Sequence, residues 1–223
     1  MPVDPHAIIE ITGFAWVPEF AQGFVRDLRP RWACEEAGLS YRERLIGFKT
    51  AKGEDYRREQ PFGQVPAYRD DEVQMFESGA MVLRIAERSG ALMPRDGAGR
   101  ARVLTWVTAA LNSVEPLVFD LVDIDLFCKG EEWAVLRRPQ AVDNLRKRLA
   151  ALSVWLGDKD HLEGDFTAAD IVMATVLRAI PDDGLVDAFP NLAAYRDRCV
   201  ARPAFQRAVE AQMASFAAEP VAD

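Results

Sequence analysis

Residues 61–78 of the chain read PFGQVPAYRDDEVQMFES and predict a β-hairpin that leads into a helix. Two short extended runs, VPAY at 65–68 and VQMF at 73–76, flank the acidic turn RDDE at 69–72. Extended runs joined by a polar turn favour two antiparallel strands. Residues 78–89 then have helical apolar spacing with a glycine directly after them, which indicates a helix that ends there.

The chain before this hairpin predicts a strand, a helix and a second strand. Residues 7–12 (AIIEIT) are short, apolar and β-branched, as is typical of a buried strand. Residues 23–37 place apolar side chains on one helical face, and Pro30 either kinks this helix or marks a late start, because proline lacks an N–H. Residues 41–48 fit the second strand. The first half therefore has the order βαβ, a crossover, then ββα, which predicts an α/β domain.

A segment rich in proline and glycine divides the chain. Residues 91–99 (ALMPRDGAG) predict a linker between a first domain at 1–90 and a second domain at 100–223. Strand signals vanish beyond the linker, so we expect an all-helical bundle there. The predicted helical segments are 100–127, 140–156, 167–180, 191–201 and 203–216, punctuated by Pro139, Pro181, Pro190 and Pro203.

Charge and cysteine content exclude several classes of partner. The 223 residues include 27 basic and 35 acidic side chains, for a net charge of -8, so nucleic acid and anionic membrane surfaces are not expected partners. No apolar run reaches the roughly 20 residues that cross a bilayer, and the first residues lack the basic start of an export signal. Cys34, Cys128 and Cys199 form no metal-ligand spacing with His6 or His161. We expect no metal, reduced thiols and a cytoplasmic protein.

Three short motifs occur in a fixed order: Val65-Pro66 opening the third strand, Glu77-Ser78 opening the next helix, and a Thr167-x-x-Asp170 pattern. With the PFGQVPAY context and the tail FPNLAAYRDRCVARPAF, they make the chain resemble the glutathione transferase family of the cytosolic type, with a bacterial-like sequence. The resemblance covers nearly the whole chain. It implies a thioredoxin-like N-terminal domain that holds glutathione, followed by a C-terminal helical bundle, and a homodimer.

The resemblance implies binding roles around Pro66. In the family this proline is cis, which leaves the backbone of the preceding residue, here Val65, free to pair with the cysteinyl part of glutathione. Gln64 can add a hydrogen bond. The alternative is that Pro66 merely begins an edge strand, where its missing donor does no harm.

Glu77 and Ser78 are candidates for binding the amino-acid headgroup of glutathione. The hydroxyl of Ser78 and the unpaired amides of a first helical turn can receive a carboxylate, and the helix dipole attracts it. Glu77 offers a negative charge to the γ-glutamyl ammonium. The alternative is an ordinary helix cap, in which Ser78 serves only the backbone.

Thr167 and Asp170 form the pattern of a capping box, with Asp in place of the usual Glu or Gln. We interpret this pair as structural, because the family uses the same feature in folding its helical domain. Asp170 is therefore not a catalytic candidate.

The sequence lacks the usual thiol-activating residue. Family members place a Tyr, Ser or Cys near the start of the first helix, whereas the stretch FAWVPEFAQGFVRDLRPR has none and puts Phe24 near that position. Arg26, together with the amides of Phe24 and Val25 at the helix start, can lower the pKa of a thiol, with Gln22 as a weaker donor. The alternative is that Arg26 faces solvent. We expect Cys34, farther along this helix, to be buried and inert.

We expect an enzyme that uses glutathione as co-substrate and directs its thiolate at a small hydrophobic electrophile. A non-catalytic glutathione-binding or regulatory protein on the same fold is the main alternative, since a fold does not fix a function. A third alternative is glutathione-dependent reduction of disulfides or peroxides, which a cysteine in the site would support. The sequence does not identify the electrophile.

Overall fold

The computed structural model describes residues 2–181 and 184–219. The chain forms two compact units, one made of residues up to 92 together with those from 202 onward, the other of residues 93–201. The domain boundaries at 1–90, 91–99 and 100–223 stay predictions. Among the residues described, no helix has both the length and the apolar character needed to cross a membrane.

A four-stranded mixed sheet forms the centre of the first unit, and its order is β2-β1-β3-β4. β1 and β2 are parallel, whereas β3 is antiparallel to both β1 and β4. The predicted hairpin is therefore confirmed, although both of its strands are shorter than predicted. The strands are β1 Ile9–Phe14, β2 Tyr41–Ile46, β3 Ala67–Arg69 and β4 Gln74–Phe76.

The first helix starts later than the apolar spacing predicted. The helices of this unit are α1 Leu28–Ala37, α2 Phe48–Lys52, α3 Glu54–Arg57, α4 Ser78–Ser89 and, at the other end of the chain, α10 Pro203–Ser215. Because α1 begins at Leu28, Pro30 falls in the first turn, where the N–H that proline lacks has no helical partner to lose. The start at residue 23 was wrong, and the late-start alternative is confirmed. Phe48 belongs to α2 and not to the second strand, which ends before Gly47.

The second unit is helical, as predicted. It contains α5 Gly97–Ala109, α6 Glu115–Val122, α7 Glu132–Leu156, α8 Ala168–Arg178 and α9 Pro190–Val200, and two π-helical turns, Ala110–Val114 and Asp123–Phe127, follow α5 and α6. The predicted break at Pro139 is wrong, because α7 begins at Glu132 and continues through it. The proline lies on the exposed side of α7.

The predicted capping box at the start of α8 is confirmed. The Thr167 hydroxyl accepts from the amide of Ala169, and the Asp170 carboxylate accepts from the amide of Thr167 at 2.8 Å. Asp170 also accepts from the amide of Leu162 at 3.0 Å and from the hydroxyl of Tyr195 at 2.9 Å. Asp170 is fully buried and makes these three hydrogen bonds within the second unit. Its role is to hold the start of α8 to its neighbours.

The three cysteines carry free thiols, in line with the expectation of reduced thiols. Cys34 is fully buried on α1, as predicted. Burial raises the pKa of its thiol well above the ordinary value, which suppresses the reactive thiolate.

Candidate functional site

The junction between β4 and α4 has an unusual backbone conformation. Glu77 has φ 72° and ψ 110°, and it is the one non-glycine residue with positive φ among the residues that the structure describes. Such conformations cost of order 1–3 kcal/mol and persist only where the surrounding structure holds them. The side chain of Glu77 is exposed. The sequence therefore maintains a strained turn that presents a carboxylate to solvent beside the start of a helix.

Ser78 is the first residue of α4, and its hydroxyl contacts a buried arginine. The residue is 4% exposed, and its Oγ accepts a hydrogen bond from Nη1 of Arg29 at 3.1 Å; Arg29 is itself 4% exposed. Because a guanidinium can only donate, Ser78 acts as the acceptor in this bond and keeps its own hydroxyl proton for another partner. The N-cap position is occupied by Glu77, with no capping bond from a side chain. The alternative that Ser78 is an ordinary cap is therefore wrong.

Asp70, at the hairpin turn, fastens the turn to α4. Its carboxylate accepts from Nε of Arg84 on α4 at 2.9 Å, from the amides of Glu72 and Val73 at 2.9 Å, and from the hydroxyl of Tyr68 at 3.1 Å. Burial alone would raise the pKa of Asp70, but these hydrogen bonds hold it well below the ordinary value. The carboxylate is therefore ionised at neutral pH and fixes α4 relative to the hairpin.

The peptide bond between Val65 and Pro66 is cis, as the resemblance implied. The loop before it is held from two sides: the hydroxyl of Tyr56 donates to the carbonyl of Gln64 at 2.8 Å, and the amide of Gln64 donates to Oε1 of Gln60 at 3.0 Å. Val65 is buried, whereas Gln64 is exposed. The backbone of this loop is therefore fixed, and the side chain of Gln64 lies at the surface.

Strand pairing brings these two motifs together. Ala67 pairs with Phe76 in the antiparallel hairpin, so Pro66 and Glu77 lie one residue beyond the same end of it. Val25 packs against the apolar cluster that contains Val65. The segment before α1 thus lies beside the cis-proline loop, and the predicted binding residues gather on one side of the first unit.

The segment proposed to activate a thiol is not the start of a helix. Phe24 is 48% exposed, and its amide donates to the carbonyl of Ala21 at 3.0 Å, so that amide already has a partner. Arg26 is half-buried and precedes α1. Gln22 donates its side-chain amide to the carbonyl of Val17 at 3.3 Å. The expectation that Phe24 and Val25 provide free first-turn amides was wrong, because the helix begins three residues after Val25.

Arg29 was not among the site residues predicted from the sequence. It lies in the run RDLRPR at 26–31, and such a charged run ordinarily indicates a solvated surface. In the structure Arg29 is buried, and so are its neighbours Asp27 and Arg31. The spacing of residues 27 and 31, at i and i+4 on one side of a helix, was a signal for the pairing of Asp27 with Arg31.

Two family models and several curated proteins match the chain. Residues 21–87 match the family described as glutathione S-transferase, N-terminal domain, and residues 135–203 match glutathione S-transferase, C-terminal domain. Glutathione S-transferase 1 of Zea mays is 30% identical over 190 residues, which cover 78% of this chain and 86% of that protein. The chain belongs to the glutathione transferase family.

Solved structures show the same fold. A glutathione transferase family member from Pseudomonas fluorescens pf-5, with two glutathione bound, has a TM-score of 0.79 and 22% identity, with 92% of this chain and 93% of that chain covered. The theta class glutathione S-transferase from Xanthomonas axonopodis pv. citri, with glutathione bound, has a TM-score of 0.75 and 27% identity, with 91% and 97% covered.

The Asp70 contacts generate a pH prediction. Because the folded-state pKa of Asp70 is below the unfolded value of about 3.9, its contribution to stability is full above that pH and is lost as the pH falls toward the folded pKa. Asp70→Asn should lower the free energy of unfolding by about 2 kcal/mol at pH 7. The deficit relative to wild type should shrink in acid, as measured by urea unfolding at several pH values.

Asp55→Asn is the matched control, because the side chain of Asp55 is 97% exposed. It should change stability by less than about 0.5 kcal/mol. Equal losses in the two variants, or a deficit in Asp70→Asn that does not change with pH, would contradict the role assigned to Asp70.

Proposed function

We propose that the protein binds glutathione at the end of the β3–β4 hairpin and conjugates its thiolate to a small hydrophobic electrophile. The observation that carries the proposal is the contact between Arg29 and Ser78 at the start of α4. A buried cation next to a hydroxyl with a proton to donate, beside the unpaired amides of a helix start, forms a favourable environment for a carboxylate. The γ-glutamyl carboxylate of glutathione fits this chemistry.

Glu77 and the cis-proline loop support the same ligand. An exposed carboxylate next to the carboxylate-binding group suits a ligand with an ammonium and a carboxylate on one carbon, as in the γ-glutamyl headgroup. The backbone of Val65 would pair with the cysteinyl residue, and Gln64 would add a hydrogen bond from the surface. The Pseudomonas and Xanthomonas relatives, described with glutathione bound, also support this ligand.

The proposed reaction is attack by sulfur on carbon. The thiolate of glutathione would form a carbon–sulfur bond with the electrophile, and the leaving group would depart with its electron pair. Arg26 is our candidate for stabilising the thiolate, because a guanidinium stays charged and presents several donors. Gln22 is a weaker candidate.

One observation favours the alternative of a non-catalytic glutathione-binding protein. Phe24 occupies the position of the usual activating residue, and its amide is already bonded to Ala21. Neither its ring nor its amide can then donate to a thiolate. A test of thiol activation therefore decides between the two functions.

We also propose a homodimer that works in the cytoplasm. Two-fold dimers are the commonest oligomers, and a reducing compartment keeps Cys34, Cys128 and Cys199 free. Light scattering at micromolar concentration should give a particle near twice 24.9 kDa. A monomer at that concentration would contradict the dimer.

Headgroup binding is tested by variants at the helix start. Glu77→Gln and Ser78→Ala each remove one charge-assisted hydrogen bond, worth about 1.5–3 kcal/mol, so each should weaken glutathione binding at least tenfold in calorimetry. The double variant should no longer be retained on immobilised glutathione. Glu77→Gln keeps the size of the side chain, so a loss reports the charge.

Glu87→Gln is the control for this series, because Glu87 is exposed near the other end of α4. It should bind glutathione like the wild type. If the double variant is retained as well as the control, the site lies elsewhere.

Thiol activation is tested by ultraviolet titration of bound glutathione. A free thiol with a pKa near 8.5 is only a few per cent ionised at neutral pH. The bound thiol should absorb as a thiolate at that pH, and Arg26→Ala should raise its apparent pKa, with about 1.36 kcal/mol per unit of change.

Arg58→Ala is the control for thiol activation, since the side chain of Arg58 is 77% exposed. Glutathione bound to this variant should titrate like glutathione bound to the wild type. If bound glutathione titrates like the free peptide in every variant, the non-catalytic alternative replaces the transferase.

A further inference from the structure

Helix α10, at the far end of the chain, contacts the segment proposed to activate the thiol. Gln212 lies on α10 and is fully buried. Its side-chain Nε2 donates to the carbonyl of Val25 at 3.1 Å and to Oδ1 of Asp27 at 2.7 Å. One side chain therefore holds both ends of the tripeptide that contains Arg26.

The orientation of this amide follows from the chemistry of its partners. A backbone carbonyl and a carboxylate without its proton only accept hydrogen bonds, so the NH2 group of Gln212 must face them. Its Oε1 is then buried with no partner among the described residues. Buried polar atoms are rarely left unpaired in native proteins. The two hydrogen bonds that Nε2 donates are made although Oε1 stays unpaired. We infer that the donors of Gln212 matter more at this position than its acceptor.

Asp27 is fixed from three directions. Its Oδ2 accepts from Nε of Arg31 on α1 at 2.7 Å, and Oδ1 accepts from Gln212 on α10. On the β1 side, a Cβ on Gly13 would lie only 2.9 Å from Oδ2, so the carboxylate lies directly against the backbone of that strand. Burial raises the pKa of Asp27, and the bonds from Arg31 and Gln212 oppose that rise. The carboxylate thus joins β1, α1 and α10.

Other contacts hold α10 firmly against α1. The ring of Phe205 packs against Trp32 with centroids 4.8 Å apart. Arg207 forms an ion pair with Glu35 at 2.7 Å. Beyond the helix, the amide of Ala217 donates to the carbonyl at position 15 at 2.7 Å. The donors of Gln212 are therefore held by a fixed element and not by a mobile tail.

Anchoring the Val25 carbonyl also directs the next amide. In a planar trans peptide the carbonyl and the following N–H point in opposite directions. Since the carbonyl of Val25 points to Gln212, the N–H of Arg26 points away from α10. The Val25–Arg26 peptide plane therefore has a defined orientation relative to α10.

We propose that Gln212 is a positioning residue for thiol activation, which it serves by fixing the Val25–Arg26 peptide. This inference rests on the proposed function, because it assumes that the thiol lies beside Arg26. It adds that helix α10 helps to set the geometry of that segment. Gln212 itself does not contact glutathione.

The test compares two variants of Gln212 with a control on the same helix. Gln212→Met keeps a side chain of similar length but has no hydrogen-bond donor. Gln212→Glu keeps the shape of the side chain but places a carboxylate against the Val25 carbonyl and the Asp27 carboxylate, which are both acceptors. Gln206→Met is the control, because Gln206 is exposed on α10. Each protein is examined by ultraviolet titration of bound glutathione, by calorimetry with glutathione, and by thermal unfolding.

In Gln212→Met the bound thiol pKa should rise by about one unit, a roughly tenfold smaller thiolate-to-thiol ratio at neutral pH. The dissociation constant of glutathione should change by less than about threefold, since the headgroup contacts remain. Gln212→Glu should show the larger rise, and the control should match the wild type. Variants that melt earlier but leave the bound thiol pKa unchanged would reduce Gln212 to a structural role and overturn the proposal.

A second measurement needs no glutathione, so it separates this proposal from the proposed function. In the unliganded protein the amides of Leu28 and Arg31 donate to the carbonyls of Val25 and Asp27. Hydrogen exchange of these two amides should be faster in Gln212→Met than in wild type, with β1 amides unchanged. Unchanged exchange would overturn the positioning role. Faster exchange in a protein that fails to bind glutathione would instead overturn the proposed function and leave the contact standing.

Discussion

The hydrogen bond from Arg29 to Ser78 is the interaction on which the rest of this account depends. It links the first turn of α1 to the first residue of α4, and it leaves the Ser78 hydroxyl able to donate. A buried cation carries a large desolvation cost, which polar partners must offset. An anionic ligand at the start of α4 would add favourable charge interactions with this cation and with the helix dipole. The hydrogen bond between Arg29 and Ser78 therefore stabilises the contact between α1 and α4, and it also forms a favourable environment for a carboxylate.

The site is assembled from segments that are distant in sequence. The hairpin places Pro66 and Glu77 at one end, Asp70 fastens that hairpin to α4, and Val25 joins the apolar cluster of Val65. Gln212 then fixes the segment next to α1 from the C-terminal helix. The headgroup contacts lie on regular structure, whereas the candidate thiol contacts lie on a short irregular segment. That segment is held by its own backbone hydrogen bonds, such as the one from the amide of Leu28 to the carbonyl of Val25 at 3.0 Å, and also by Gln212 on α10.

Much of the fold and part of the site could be predicted from local sequence. The hairpin, the start of α4 at Ser78 and the capping box at Thr167 follow from turn residues, apolar spacing and capping chemistry, all of which act over a few residues. The start of α1 was left open between a kink and a late start at Pro30, and the passage of α7 through Pro139 was missed, because position within a helix decides whether a proline is tolerated. The buried state of Arg29 depends on what packs over α1. The partners of Gln212 lie 185 and more residues away, so no local pattern reveals them.

A crystal structure of the protein with glutathione tests the carboxylate site at Ser78 most directly. We expect the γ-glutamyl carboxylate to accept from Ser78 Oγ and from amides of the first turn of α4, at no more than about 3.5 Å. We also expect Glu77 to contact the ammonium and the sulfur to lie next to the Val25–Arg26 peptide. A carboxylate bound elsewhere, with the Ser78 hydroxyl making no contact with the ligand, would contradict the carboxylate site at Ser78.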